Sequence, residues 1–203
     1  MKYLILFGLL SSLILVSCVT RDKVAERSTN SEIEPRSGLF SGESLFQLTD
    51  SFETQYNRPF TLGMLKGKPT LVSMIFTNCE YACSRLTADM QAIGDSLAGR
   101  ENEVNFLLVS FDTERDNPEQ LSQFAEKMGL GQNWTLLHGS DDAVRTLSVL
   151  LDVQFERSTT GNFSHSNMIS VLDKEGVIRF QKEGLNADQT KTVQTLRNLA
   201  ARG

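Results

Sequence analysis

The sequence predicts an α/β domain in three layers, with helices around a central mixed sheet and a hairpin extension on its N-terminal side. Three observations carry this. Short apolar runs rich in β-branched residues alternate with longer stretches of helical periodicity from about residue 45 onward. Two of the runs, Thr70–Phe76 and Val104–Ser110, are apolar without alternation, as strands covered on both faces are. The last two runs are joined by a short turn, which makes that pair antiparallel and the sheet mixed.

The elements follow in order. Phe46–Thr49 and Phe60–Leu62 frame a hairpin around Asp50–Pro59. Thr70–Phe76 is a buried strand. A helix follows, with Leu86, Met90, Ile93 and Leu97 on one stripe and Gly99 as its stop. Val104–Ser110 is the second buried strand. Asn117-Pro118-Glu119 reads as a cap, a proline at the first helical position and an acidic first turn. That helix carries Leu121, Phe124, Ala125 and Met128 inward and stops at Gly129. Trp134–Leu137 is a short strand, and Ser140 caps a helix with Val144, Leu147 and Leu151 inward. Met168–Leu172 and Val177–Phe180 form a hairpin about Asp173–Gly176. Asn186 or Asp188 starts a terminal helix bearing Val193, Leu196 and Leu199.

The N-terminus stands apart from this pattern. Lys2 precedes an apolar run from Leu4 to Val16, too short to span a bilayer as a stable helix and ending in Leu15-Val16-Ser17-Cys18. Those four residues are similar to the lipobox of bacterial lipoproteins, whose signal peptide is cut before the cysteine and whose cysteine is acylated. The resemblance implies a signal peptide over 1–17 and a lipid anchor on Cys18. It also implies export, either to the outer face of the cytoplasmic membrane or to the periplasm and outer membrane. Residues 18–42 are polar and mixed in charge, the composition of a flexible linker, and 43–203 form the folded domain. A net charge of −5 without a basic stripe argues against nucleic acid as a partner.

Chemistry concentrates at Cys79-Glu80-Tyr81-Ala82-Cys83. Cys79 and Cys83 are the only cysteines of the folded part, and they follow a buried strand at the start of a helix. Ligand sites in α/β sheets favour that position, and a helix N-terminus lowers thiol pKa values. Two thiols so close form a disulfide, a soft-metal site, or each in turn. A static disulfide here would close a very small loop and stabilise little, and a domain this size has core enough without one. An oxidised pair would need Cys79 to lie slightly outside the helix.

Three segments in order resemble the Sco/SenC family of thioredoxin-like copper proteins. They are Phe76–Cys83, then Ser110-Phe111-Asp112-Thr113-Glu114-Arg115-Asp116, similar to the family's Ser-x-Asp-x-x-Arg-Asp, and Ser164-His165-Ser166 before Ile169–Gly176. The likeness spans about residues 43–200. It implies a thioredoxin-like fold in which Cys79, Cys83 and His165 bind one copper ion, Cu(I) preferred and Cu(II) possible. Two thiolates and an imidazole suit three-coordinate Cu(I), whereas zinc prefers four ligands and no further cysteine is at hand. The implied partners are the copper-centre subunit of cytochrome c oxidase or another cuproprotein, together with a thiol reductant. Asp112 is the candidate support for the ligands from outside the ligand set.

Two departures from the family stand out. Ser84 and Glu80 occupy positions where proline is usual, which loosens the helix start, and Glu80 sets a negative charge beside Cys79 that opposes thiolate formation. The competing reading is a thiol–disulfide oxidoreductase with Cys79 as redox-active nucleophile and Cys83 as resolver. No proline follows Pro118, so the cis-proline typical of thioredoxins has no candidate. His138, before the Ser140 cap, reads as a local hydrogen-bonding residue.

Overall fold

The computed structural model describes the backbone of Glu32–Ile33 and residues 43–201 except Thr160. The signal peptide, Cys18 and all but two residues of the proposed linker therefore lie outside the described residues. Ten strands, β1 (Glu32–Ile33), β2 (Phe52–Thr54), β3 (Pro59–Phe60), β4 (Thr70–Ile75), β5 (Asn105–Ser110), β6 (Trp134–Gly139), β7 (Phe155–Arg157), β8 (Phe163–His165), β9 (Met168–Leu172) and β10 (Ile178–Glu183), alternate with four α-helices. The helices are α1 (Ala82–Asp95), α2 (Pro118–Lys127), α3 (Asp141–Leu150) and α4 (Thr190–Ala200). Among these residues no helix is long and apolar enough to cross a membrane.

The main sheet runs β1-β10-β9-β4-β5-β6-β2-β3, and β7 and β8 form a separate two-stranded sheet. Pairing is parallel for β4–β5 and β5–β6, and antiparallel for β4–β9, β9–β10 and β2–β6. The mixed sheet expected from the sequence is therefore present. Every residue of β4 is buried, which explains its uninterrupted apolar run: side chains on both of its faces are covered. Leu71, Ile75, Leu86, Met90, Ile93, Leu108, Val109, Leu136 and Ile169 belong to one continuous core.

The caps read from the sequence recur. Asn117 Oδ1 accepts from the amides of Glu119 and Gln120, with Pro118 at the first helical position. Ser140 Oγ accepts from Ala143 N–H. Gly129 adopts φ +65°, which closes the turn after α2.

Two expectations are corrected. Phe46–Thr49 is not a strand: Leu45–Gln47 is a 3₁₀ turn, because Ser44 Oγ caps it at Phe46 N–H and Leu45 N–H is drawn to Gly176 O. The N-terminal hairpin is β2–β3, at the sheet edge. The terminal helix starts at Thr190 rather than at Asn186 or Asp188. Asn186 sits at φ +52°, a left-handed conformation no helix continues, and its N–H is held by Asp89 Oδ2 at 3.0 Å. Asp188 caps the turn just before the helix by accepting from Thr190 N–H.

Candidate metal centre

Strand β4 ends at Ile75, and a tight turn leads to Cys79 before α1 begins at Ala82. Cys79 therefore lies outside the helix while Cys83 sits in its first turn. The Cys83 N–H, one of the helix-start donors without an intrahelical acceptor, points at Cys79 Sγ at 3.2 Å. Cys83 Sγ is buried and accepts from Phe76 N–H at 3.4 Å. Both thiols are free.

His165 arrives from the other side. It closes β8, a strand too short and too isolated to be visible as sequence periodicity. Because β9 runs antiparallel to β4, the chain between β8 and β9 returns to the end of β4 that leads into the cysteines. The ring packs against Phe111 and Phe76, with centroids at 5.0 and 6.0 Å. Nδ1 lies 3.0 Å from Ser166 O, so it carries the proton, and Nε2 is left with its lone pair 3.8 Å from Cys83 Sγ. Cys79, Cys83 and His165 each offer one ligand atom, and the three atoms lie within 4.8 Å of one another.

The two thiols are electrostatically unequal. Cys79 is held well below the ordinary thiol value, to about 5, chiefly by the hydrogen bond from the Cys83 thiol, against an opposing effect of burial. The amides of Cys83 and Tyr81 add to the lowering. Cys83 is pushed far upward, first by that same bond, then by burial and by the charges of Cys79 and Asp116. One proton is thus shared by the pair and resides on Cys83. Glu80, expected to oppose thiolate formation at Cys79, is exposed and is not among the causes of either shift. Donors aimed at the sulfur outweigh a solvated neighbour.

Asp112 is buried, forms an ion pair with Arg115 and accepts no hydrogen bond from Cys79, Cys83 or His165 among the described contacts. The Arg115 guanidinium lies 5.8 Å from the centroid of Phe163. The carboxylate wired to the cysteine turn is instead Asp116, which accepts from Thr77 N–H at 2.8 Å, from Thr77 Oγ and from Ser110 Oγ at 2.6 Å. Asp116 ends the Ser-x-Asp-x-x-Arg-Asp segment, so the residue was in view in the sequence. Its partner 39 residues upstream was not. His138 lies on β6 opposite Glu53 of β2, apart from the metal cluster.

This donor set, two sulfurs and one imidazole on converging elements, fits a soft ion of low coordination number, and among the described residues no fourth side chain joins it as tetrahedral zinc would want.

Residues 40–201 match the family described as SCO1/SenC. Over 90 residues the chain is 37% identical to the SCO1 protein homolog of Bacillus subtilis (strain 168), a stretch covering 44% of this chain and 47% of that relative. The match thus spans about half the length of that protein. A SCO1/SenC family lipoprotein from Bacillus anthracis str. Ames superposes with a TM-score of 0.68 at 27% identity, covering 74% of this chain and 92% of that one. ScoI of Bradyrhizobium japonicum, whose structure holds copper, shares the fold at a TM-score of 0.63 and 21% identity, over 74% of this chain and 96% of that one. The architecture is the thioredoxin-like α/β fold of these proteins, and with a family match across well over half its length, this chain belongs to the SCO1/SenC family.

Proposed function

We propose that this protein is an exported, lipid-anchored copper chaperone. It takes one copper ion, preferably Cu(I), on Cys79 Sγ, Cys83 Sγ and His165 Nε2, and passes it to a respiratory oxidase copper centre or another cuproprotein. The observation that carries the reading is the convergence of these three donors within 4.8 Å. Cys79 is already a thiolate in the reduced protein, and loading the ion displaces the proton held on Cys83. His165 presents Nε2 because Nδ1–H is spent on Ser166 O. Asp112 enters at one remove: it fixes Arg115 over Phe163, two residues from His165. Cys18 supplies the anchor, and a thiol reductant keeps the pair open in a compartment where disulfides persist.

The test is an anaerobic Cu(I) competition titration on reduced residues 43–203, run beside Cys79→Ser/Cys83→Ser. A 1:1 complex lost in the double variant supports the reading; retained binding refutes it.

A second reading draws on the inequality of the thiols. A half-buried thiolate at Cys79 backed by a buried thiol at Cys83 is also the arrangement of a nucleophile and its resolver. Cys79 would attack a client disulfide sulfur and expel one client thiolate. Cys83 would then attack the mixed disulfide, leaving the pair oxidised and the client dithiol reduced. Copper-independent reduction of a client disulfide at a catalytic rate would favour this reading over the first.

A further inference from the structure

We propose that Asp116 is a positioning residue of the metal centre: its buried carboxylate, bound by Thr77 and Ser110, fixes the turn between β4 and α1 that carries Cys79 and lends an amide to Cys83. The inference rests on the copper reading above and deepens it.

Four observations join here. Asp116 is 2% exposed and forms no ion pair among the described residues, so its stabilisation comes from hydrogen bonds. Oδ2 accepts from Thr77 N–H at 2.8 Å and from Ser110 Oγ at 2.6 Å, and Oδ1 accepts from the Thr77 hydroxyl. Ser110 is the last residue of β5 and pairs with Ile75, the last residue of β4, so the carboxylate ties the turn to the rigid end of two central strands. The pinned residue, Thr77, stands between the two residues whose placement matters. Phe76 N–H donates to Cys83 Sγ, and Cys79 lies two residues on.

The substitution pattern of the turn makes this support consequential. The helix start lacks a proline after Cys83, where Ser84 stands, and Tyr81 at the N-cap makes no side-chain capping bond. The turn's geometry is then held from outside by a residue on the β5–α2 connection. Asp116 N–H bonds Asp112 O at 3.0 Å, so the carboxylate itself sits on a closed turn and not on a free loop. Buried polar groups satisfied in this way define one geometry where an apolar contact would allow several. Supporting partners of metal ligands typically contribute tenfold to hundredfold in affinity.

The experiment uses the whole chain in detergent, carrying Cys18→Ser so that Cys79 and Cys83 are its only thiols. Asp116→Ala, Asp116→Asn and, as a control, Ser73→Ala are compared. Ser73 makes a buried hydrogen bond to Met168 O at 2.6 Å away from the turn. Asparagine can still accept from Thr77 N–H and Ser110 Oγ while its NH₂ faces the Thr77 hydroxyl. The expected result is a Cu(I) affinity lowered about tenfold to hundredfold in Asp116→Ala, restored to within about threefold in Asp116→Asn, and unmoved in Ser73→Ala. In the copper-free reduced protein, hydrogen exchange at the Phe76 and Cys83 amides should accelerate at least about tenfold in Asp116→Ala while β5 stays protected. Wild-type affinity in Asp116→Ala, an Asp116→Asn as weak as Asp116→Ala, or unchanged exchange at Phe76 and Cys83 would each overturn the assignment. If the parent chain binds no copper, the chaperone reading fails by itself, and the exchange measurement still decides the role of Asp116.

Discussion

The backbone N–H of Cys83 donates to Cys79 Sγ at 3.2 Å, so the helix that bears one thiol of the pair also holds the other. A free thiol that receives an amide proton and a neighbouring thiol proton is stabilised as its anion, and the burial of the site only partly opposes this. The consequences can be measured.

Cys79 should react with iodoacetamide as a thiolate down to a midpoint near 5, as its lowered value implies. The sign follows from the direction of the shift: the anion is present above about 5 and is lost as pH falls through it. Cys83, raised and buried, should stay unmodified across the neutral range. Mass spectrometry of the alkylated peptides checks both. Cys83→Ala should move the Cys79 midpoint back toward the ordinary thiol value, since it removes the largest cause of the lowering.

His165→Ala should weaken Cu(I) binding about tenfold or more while leaving a two-thiolate complex. A competition titration with a chromophoric Cu(I) chelator reads the difference. Equal affinity in the two proteins would leave the imidazole as packing.

Oxidation of the pair should abolish loading. Diamide takes two electrons from Cys79 and Cys83, which form one disulfide, and becomes its hydrazine with the proton held on Cys83 and a second proton from water. Neither sulfur then remains as a thiolate donor. The oxidised protein should show no stoichiometric Cu(I) uptake, and dithiothreitol should restore it. Unchanged uptake would separate copper binding from the redox state of the cysteines.

Phe111→Ala should destabilise the fold by about 3–5 kcal/mol and disturb the metal site together with it. Phe111 is buried, stacks on Phe155 at 5.0 Å and meets Phe163 and His165 at 5.1 and 5.0 Å. Urea unfolding gives the first effect and copper affinity in folded protein the second.

Gly139→Ala should cost about 1–3 kcal/mol by overpacking. Gly139 is paired with Phe52, and a Cβ there would stand 2.6 Å from Phe52 Cδ1. A ring at the buried start of β2 has little room to yield. An urea midpoint equal to the parent's would show that the hairpin shifts instead.

Much of this molecule was legible in its sequence because its signals are local. The buried runs at Thr70–Phe76 and Val104–Ser110, the Asn117-Pro118 cap and the Ser140 cap each act through neighbours within a few residues, and each recurs in the structure. The two cysteines were readable from spacing, and His165 was readable through resemblance. What stayed hidden depends on distant partners. The β7–β8 hairpin is three residues a strand, with Phe155 and Phe163 committed to the Phe111 cluster instead of to a periodic face. Asp116 and Thr77 meet only because β4 and β5 end side by side. Ser44, by capping a 3₁₀ turn and bonding Glu175 O, overrode the strand propensity of Phe46-Gln47-Leu48.

The aromatic seat of the β7–β8 hairpin bears on how a bound ion could leave. Two of the three candidate donors sit on the turn after the central strand and in the first turn of the helix that follows it. The third rides on a small hairpin that shares no ladder with the main sheet and is secured by ring contacts. A partner that eased this flap aside would strip the imidazole first and meet the ion at the half-buried sulfur of Cys79, with Cys83 still behind it. In such a centre, grip and release are set by different parts of the chain.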